Sequence, residues 1–175
     1  MPVRNGVETI DYDVVVVGAG PVGGFLARRM CEGGANVLLL EEHSQIGRPF
    51  QCAGLVNPGA MRLAGLEGTV LTPIWGARIH SPSGIPVVIG NEQQVRTWSV
   101  CRKLFDEGVV SQGVDAGADL WLSSKPESAD IVEDRVHLSV RTPLGLSQSD
   151  VRCYAGLTVP TLGFAGVSGW GARGS

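Results

Sequence analysis

The chain has 175 residues, enough for one domain with a proper core, and 43% hydrophobic against 18% charged residues excludes a disordered chain. A net charge of −3 leaves no basic footprint for nucleic acid, so no nucleic-acid partner is expected. Cys31, Cys52, Cys101 and Cys153 form no CxxC pair, which argues against a zinc site and a secreted disulfide framework.

Residues 1–11 read as a short polar lead-in without the apolar core of a signal peptide. No apolar run approaches the ~20 residues of a membrane span, and the expectation is a cytoplasmic protein with reduced thiols. Val14–Val17 is a run of valines, expected as a parallel strand buried on both faces. Gly18–Gly24 is a turn, and Pro21 to Glu32 a helix with Val22, Phe25, Leu26 and Met30 on one face. Gly33-Gly34 ends that helix, and Val37–Leu40 is a second buried strand, completing a β-α-β unit. A loop follows over His43–Pro58, then a short helix over Met61–Leu66. Ala77–His80 and Val87–Ile89 flank the turn sequence SPSG as a hairpin, and Thr97–Val100 is a further strand. Lys103–Ala116 reads as a helix weakened by Gly108 and Gly113 and closed by Gly117. Leu120–Leu122 is a third parallel strand. Val136–Val140 and Val151–Tyr154 form a meander about a turn near Pro143–Gly145, and Leu157–Val159 is a last short strand. Gly163–Ser175 shows no usable period and holds five of the glycines.

The chemistry begins at Gly18-Ala19-Gly20-Pro21-Val22-Gly23. In this GxGxxG pattern the first glycine permits a tight turn, the second lets backbone approach a pyrophosphate, and the third lets helix and strand pack closely. The phosphates would sit on free N–H groups at the helix N-terminus, where the dipole favours negative charge. The motif alone is weak. Here a strand precedes it, a helix follows it, and Glu41 ends the next strand, where a carboxylate accepts ribose hydroxyls. An acid at that place disfavours a 2′-phosphate, which leaves FAD or NAD ahead of NADP.

Further on stand Ile46-Gly47-Arg48-Pro49-Phe50-Gln51-Cys52-Ala53-Gly54, GARIHSPSG, Arg102-Lys103-Leu104-Phe105-Asp106 and GADLW. With DVVVVGAGPVGG, these segments make the chain resemble the geranylgeranyl reductase family of flavoproteins, nearest in look to its archaeal digeranylgeranylglycerophospholipid reductases. The resemblance runs from about Asp13 to Asp119 and more loosely to about Gly163. Its specific signal is the "IG.P..C.G" loop. It implies an α/β fold, a Rossmann-type FAD-binding parallel sheet with an inserted antiparallel meander, over residues 12–163. It implies FAD as cofactor, and saturation of isoprenoid C=C bonds in archaeal lipid precursors, with an unidentified electron donor and peripheral membrane contact.

By matching motif, Gly18, Gly20, Val22 and Gly23 line the pyrophosphate and Glu41 holds the adenosine ribose. Cys52, Ala53 and Gly54 lie on the flavin side, Cys52 being the one candidate for a catalytic role. Arg102 contacts FAD near its phosphates, and a residue near Pro126 approaches the adenine. Cys52 also reads as a small buried hydrophobe, and Arg102 as an i,i+4 partner of Asp106. His43, His80 and His137 are not grouped and are assigned no role.

The family pattern breaks at Pro160-Thr161-Leu162-Gly163, where relatives carry an ADG turn and this chain has no aspartate. The resemblance therefore implies an incomplete, C-terminally truncated FAD-binding domain followed by an irregular tail over 164–175, binding FAD weakly and inactive alone. An aromatic-type flavin monooxygenase and a non-enzymatic nucleotide-binding remnant are the alternatives.

Overall fold

The computed structural model describes residues 3–4, 7–50, 52–132, 135–143 and 149–154. Along the chain these form β1 (Val3–Arg4), β2 (Val7–Asp11), β3 (Val14–Val17), α1 (Pro21–Glu32), β4 (Val37–Leu40), β5 (Leu55–Val56) and α2 (Pro58–Ala64). A 3-10 turn over Glu67–Thr69 follows, then β6 (Val70–Ile74), β7 (Gly76–His80), β8 (Pro86–Gly90), β9 (Thr97–Val100) and α3 (Arg102–Asp115). The rest is β10 (Asp119–Trp121), β11 (Lys125–Val132), β12 (Arg135–Arg141) and β13 (Ser149–Tyr154). The chain divides into two compact units, one made of residues 1–46 and 110–175 and the other of residues 47–109.

The first unit is built on a parallel sheet in the order β10-β4-β3, with Val14 opposite Val37 and Leu120 opposite Leu39. β3 and β4 are apolar throughout because both of their faces are covered. Val15, Val17, Leu38 and Leu40 pack with Tyr12, Val136, Leu138 and Val140 on one side. Val14, Val16, Val37 and Leu39 pack with Ala27 of α1, Val110 of α3, Ala19, Ile46 and Ala118 on the other. Full burial of each valine, leucine or isoleucine among them contributes about 1.5–3 kcal/mol.

A five-stranded sheet in the order β1-β2-β13-β12-β11 supplies the first of these coverings. The meander is as expected, with β12 antiparallel to both neighbours. The lead-in is not wholly irregular: β2 pairs parallel with β13, Thr9 opposite Asp150. β11 was also not foreseen, because KPESADIV shows little apolar alternation and opens near a proline. Pro126, which cannot donate to a ladder, lies at a register shift between β11 and β12.

The buried face of α1 differs from the expected one. Gly23, Gly24 and Ala27 are buried, whereas Val22 is 65% exposed. The reason is close approach: a Cβ on Gly24 would lie 3.0 Å from Val110, and one on Gly113 3.0 Å from the Gly24 carbonyl oxygen. Leu26, Met30 and Cys31 pack at the margin of this contact.

In the second unit, β9 lies between β5 and β6, and β7 pairs with β8 as the expected hairpin about the SPSG turn. α2 begins three residues earlier than expected. Asn57 caps it by accepting from the Ala60 N–H at 2.8 Å, Pro58 occupies the first turn, and Gly65 closes it at φ +63°. Gly108 lies against Leu66, where a Cβ would meet Cδ1 at 2.9 Å. The Leu157–Val159 strand, the Gly163 turn and the tail lie outside the described residues.

Candidate functional site

The turn between β3 and α1 places its glycines under different constraints. Gly18 takes φ +97° and donates its N–H to the Leu40 carbonyl at 2.7 Å, tying the turn to the neighbouring strand. A Cβ on Gly23 would lie 2.0 Å from the Gly18 carbonyl oxygen, so no side chain fits there. Gly20 is the N-cap residue of α1, with extended backbone, no side-chain cap and no acid in the first turn. A Cβ built on Gly20 would meet no atom within 4 Å. The N-terminus of α1 thus carries no side-chain cap, and the space beside Gly20 is open. Those are the requirements of a pyrophosphate cradle, and the residues present fit one.

Glu41 stands beside that turn, its side chain 13% exposed. Its Oε2 accepts the Ala19 N–H at 2.9 Å. Its Oε1 accepts the His43 backbone N–H at 3.0 Å and faces the His43 Nδ1 at 2.6 Å. The backbone of the same segment is bonded to the end of β10. Glu41 N–H donates to the Trp121 carbonyl at 2.9 Å, Ser124 N–H to the Glu41 carbonyl at 2.8 Å, and Ser123 N–H to the His43 carbonyl at 2.9 Å. Lys125 pairs with Glu42 at 2.8 Å and, by that hydrogen bond first, holds the Glu42 carboxyl below its usual range.

Ser123 and Ser124 had no signal in the sequence beyond following a short apolar run. They come next to Glu41 because β10 pairs with β4, and Ser123 takes φ +50° to make the turn. Pro126, the residue marked for the adenine, is buried in β11 opposite Val140.

The other marked residues belong to the second unit. Cys52 and Ala53 are exposed, and Gly54 is buried. Gly54 takes φ +72°, and a Cβ there would lie 2.6 Å from the Val100 carbonyl oxygen and 3.2 Å from Arg102 Cγ. Its own carbonyl accepts from the Val100 N–H at 2.8 Å, so the loop is sewn to the end of β9. Arg102 donates from Nε and Nη2 to the two oxygens of Asp106, both at 2.9 Å. This bidentate pair, more than anything else, raises the Arg102 guanidinium above its ordinary range; burial opposes the rise, and Cys52 adds to it. Asp106 is 7% exposed. The i,i+4 reading of Arg102 is thus present in the structure, and the guanidinium has further N–H donors beyond those two.

The structure thus brings Gly18, Gly20, Gly23 and Glu41 together in one unit and Cys52, Gly54 and Arg102 in the other. Comparison with known proteins agrees with what the first group is suited to hold. Residues 11–135 match the model of the FAD binding domain family. The chain is 35% identical over 130 residues to digeranylgeranylglycerophospholipid reductase 2 of Methanopyrus kandleri, covering 73% of this chain and 32% of that protein. It is 32% identical over 153 residues to a digeranylgeranylglycerophospholipid reductase of Methanospirillum hungatei, covering 85% of this chain and 37% of that one. The chain thus spans about a third of the length of the curated relatives it matches. Among solved structures, a geranylgeranyl bacteriochlorophyll reductase-like protein from Thermoplasma acidophilum superposes with a TM-score of 0.73 at 26% identity, covering 86% of this chain and 38% of its own. The p-nitrophenol 4-monooxygenase of Pseudomonas putida shares the fold, with a TM-score of 0.68 at 21% identity over 84% of this chain and 40% of its own. By its fold, its glycine turn with Glu41, and a match over residues 11–135, the chain belongs to the FAD-binding domain family, with FAD as its cofactor.

Proposed function

We propose that the chain serves an FAD-dependent reductase that saturates C=C bonds of geranylgeranyl chains in membrane-lipid biosynthesis. The carrying observation is the N-terminus of α1 without a side-chain cap and with open space beside Gly20, with Glu41 bonded to Ala19 inside the same turn. The resemblance of its sequence to digeranylgeranylglycerophospholipid reductases supports the substrate class.

FAD, when bound, would supply the hydride chemistry, with an unidentified electron donor as a further partner. The residues here bind and orient it. Gly18, Gly20, Val22 and Gly23 border the pyrophosphate, and Glu41 receives the adenosine ribose. A residue near Pro126 approaches the adenine, with Ser123 and Ser124 on the turn just before it. Arg102 turns its remaining donors toward a phosphate while Asp106 fixes its fork. Cys52, with Ala53 and Gly54, borders the flavin side, where its thiol serves the reaction rather than the binding. We place the protein in the cytoplasm in peripheral contact with the membrane, since its substrate is a membrane lipid.

Titration with FAD, followed by flavin fluorescence, tests the binding half. Glu41→Ala is expected to weaken binding at least about tenfold, the scale of a lost hydrogen bond to a charged group. Cys52→Ala is expected to keep that affinity, and a loss of FAD affinity in Cys52→Ala would place the thiol in the binding instead. FAD binding unaffected by Glu41→Ala would remove the site.

A further inference from the structure

An ionised carboxylate has about four acceptor positions, two on each oxygen. On Glu41, Oε1 already carries two donors, the His43 backbone N–H at 3.0 Å and the His43 ring at 2.6 Å. Oε2 carries one, the Ala19 N–H at 2.9 Å. A carboxylate facing the Nδ1 of an imidazole keeps the proton on that nitrogen, so the ring is the donor. One acceptor position is therefore left, and it is on Oε2. An adenosine ribose presents two hydroxyls, at 2′ and 3′.

We infer that His43 is a specificity-determining residue of the adenosine pocket: it sets how many ribose hydroxyls Glu41 can accept. With its ring on Oε1 the carboxylate takes one hydroxyl, and without the ring it takes two. The backbone amide of His43 stays on Oε1 in either case, so only the ring changes the count. The charged groups about the ring are Glu41 and Glu42 on its own segment and Lys125 on β11, which is engaged with Glu42. The His43 side chain is 42% exposed, so it is free of the core. This inference rests on the proposed nucleotide site and gives it a discriminating property: tolerance of one deoxy analogue.

The test is calorimetric binding of ADP, 2′-deoxy-ADP and 3′-deoxy-ADP to the parent chain, His43→Ala and His43→Asn. For the parent, one deoxy analogue is expected to bind about tenfold weaker than ADP, the loss of one hydrogen bond to a charged acceptor, and the other within about twofold. For His43→Ala, both are expected to fall about tenfold below ADP. His43→Asn, whose amide places a donor near the position of Nδ1, is expected to restore the parent's one-sided pattern. A general structural role for the ring would weaken all three ligands alike. The inference is overturned if the parent already loses affinity with both analogues, or if His43→Ala stays one-sided. If ADP itself binds neither protein, the nucleotide site fails, and this inference fails with it.

Discussion

At the scale of single residues, Gly23 is among the most tightly constrained positions. A methyl group there would lie 2.0 Å from backbone that also forms the turn, so turn or helix must shift. Gly23→Ala is expected to cost about 1–3 kcal/mol, the range for overpacking, and to lower FAD affinity, as read by thermal melting and flavin titration. That demand was legible in the sequence because it is a backbone demand, carried by three glycines at fixed spacing. Tyr12 shows the opposite case. Its hydroxyl donates to Asp119 Oδ2 at 2.8 Å, a partner no local pattern points to. Burial first, then the Asp119 hydrogen bond and charge, push the Tyr12 phenol well above its ordinary range. The folded state thus requires the neutral phenol, while the unfolded chain ionises at about pH 10. Stability from this group is complete below that pH and is lost as pH rises through the alkaline range. Tyr12→Phe is expected to lose about 1 kcal/mol at neutral pH and to show a shallower alkaline decline in urea melts.

At the scale of elements, β3, α1, β4 and β9 have the limits expected of them. Among the strands not expected, VETID takes its place in the larger sheet by pairing with β13, far away in sequence. α1 was misread in a more instructive way. A pattern of large apolar residues suggests the buried face, but the helix is seated by its smallest ones, since strand and α3 come too near for anything bigger. Gly108 and Gly113, which propensity marks as flaws in α3, are where α3 meets its neighbours, Leu66 and the Gly24 carbonyl. Propensity alone would have most replacements at Gly113 stabilise the helix by up to ~1 kcal/mol. The contact reverses the sign. Gly113→Val is expected to destabilise by about 1–3 kcal/mol and to weaken ADP binding, because displacing α1 displaces the turn it carries. Melting curves with and without ADP measure both effects.

At the scale of the molecule, the marked residues are divided between two units, which linear order does not show. ADP is expected to slow amide hydrogen exchange over residues 18–24, 41–43 and 123–124 and to leave residues 52–54 unchanged. FAD is expected to add protection over residues 52–54. Uniform slowing by ADP across both units would contradict the assignment. Net charge and the thinness of basic residues were legible from composition alone, as was the α/β class. The place of Ser123 and Ser124 beside Glu41 was not, because it depends on which strand lies beside β4.

The β3-α1-β4 segment also has a kinetic meaning. Its strand pair joins residues 14–17 to 37–40, whereas β10 reaches β4 from residues 119–121 and β13 reaches β2 from residues 150–152. Closing a loop costs entropy that rises with the length of chain enclosed, and distant pairings are correspondingly slow. The shortest of these closures is the one that forms the glycine turn. During synthesis the glycine turn and both strands that flank it are available once the first 40 residues have emerged, before β10 has been translated. A nucleotide captured at that stage would act as a template on which the later strands assemble.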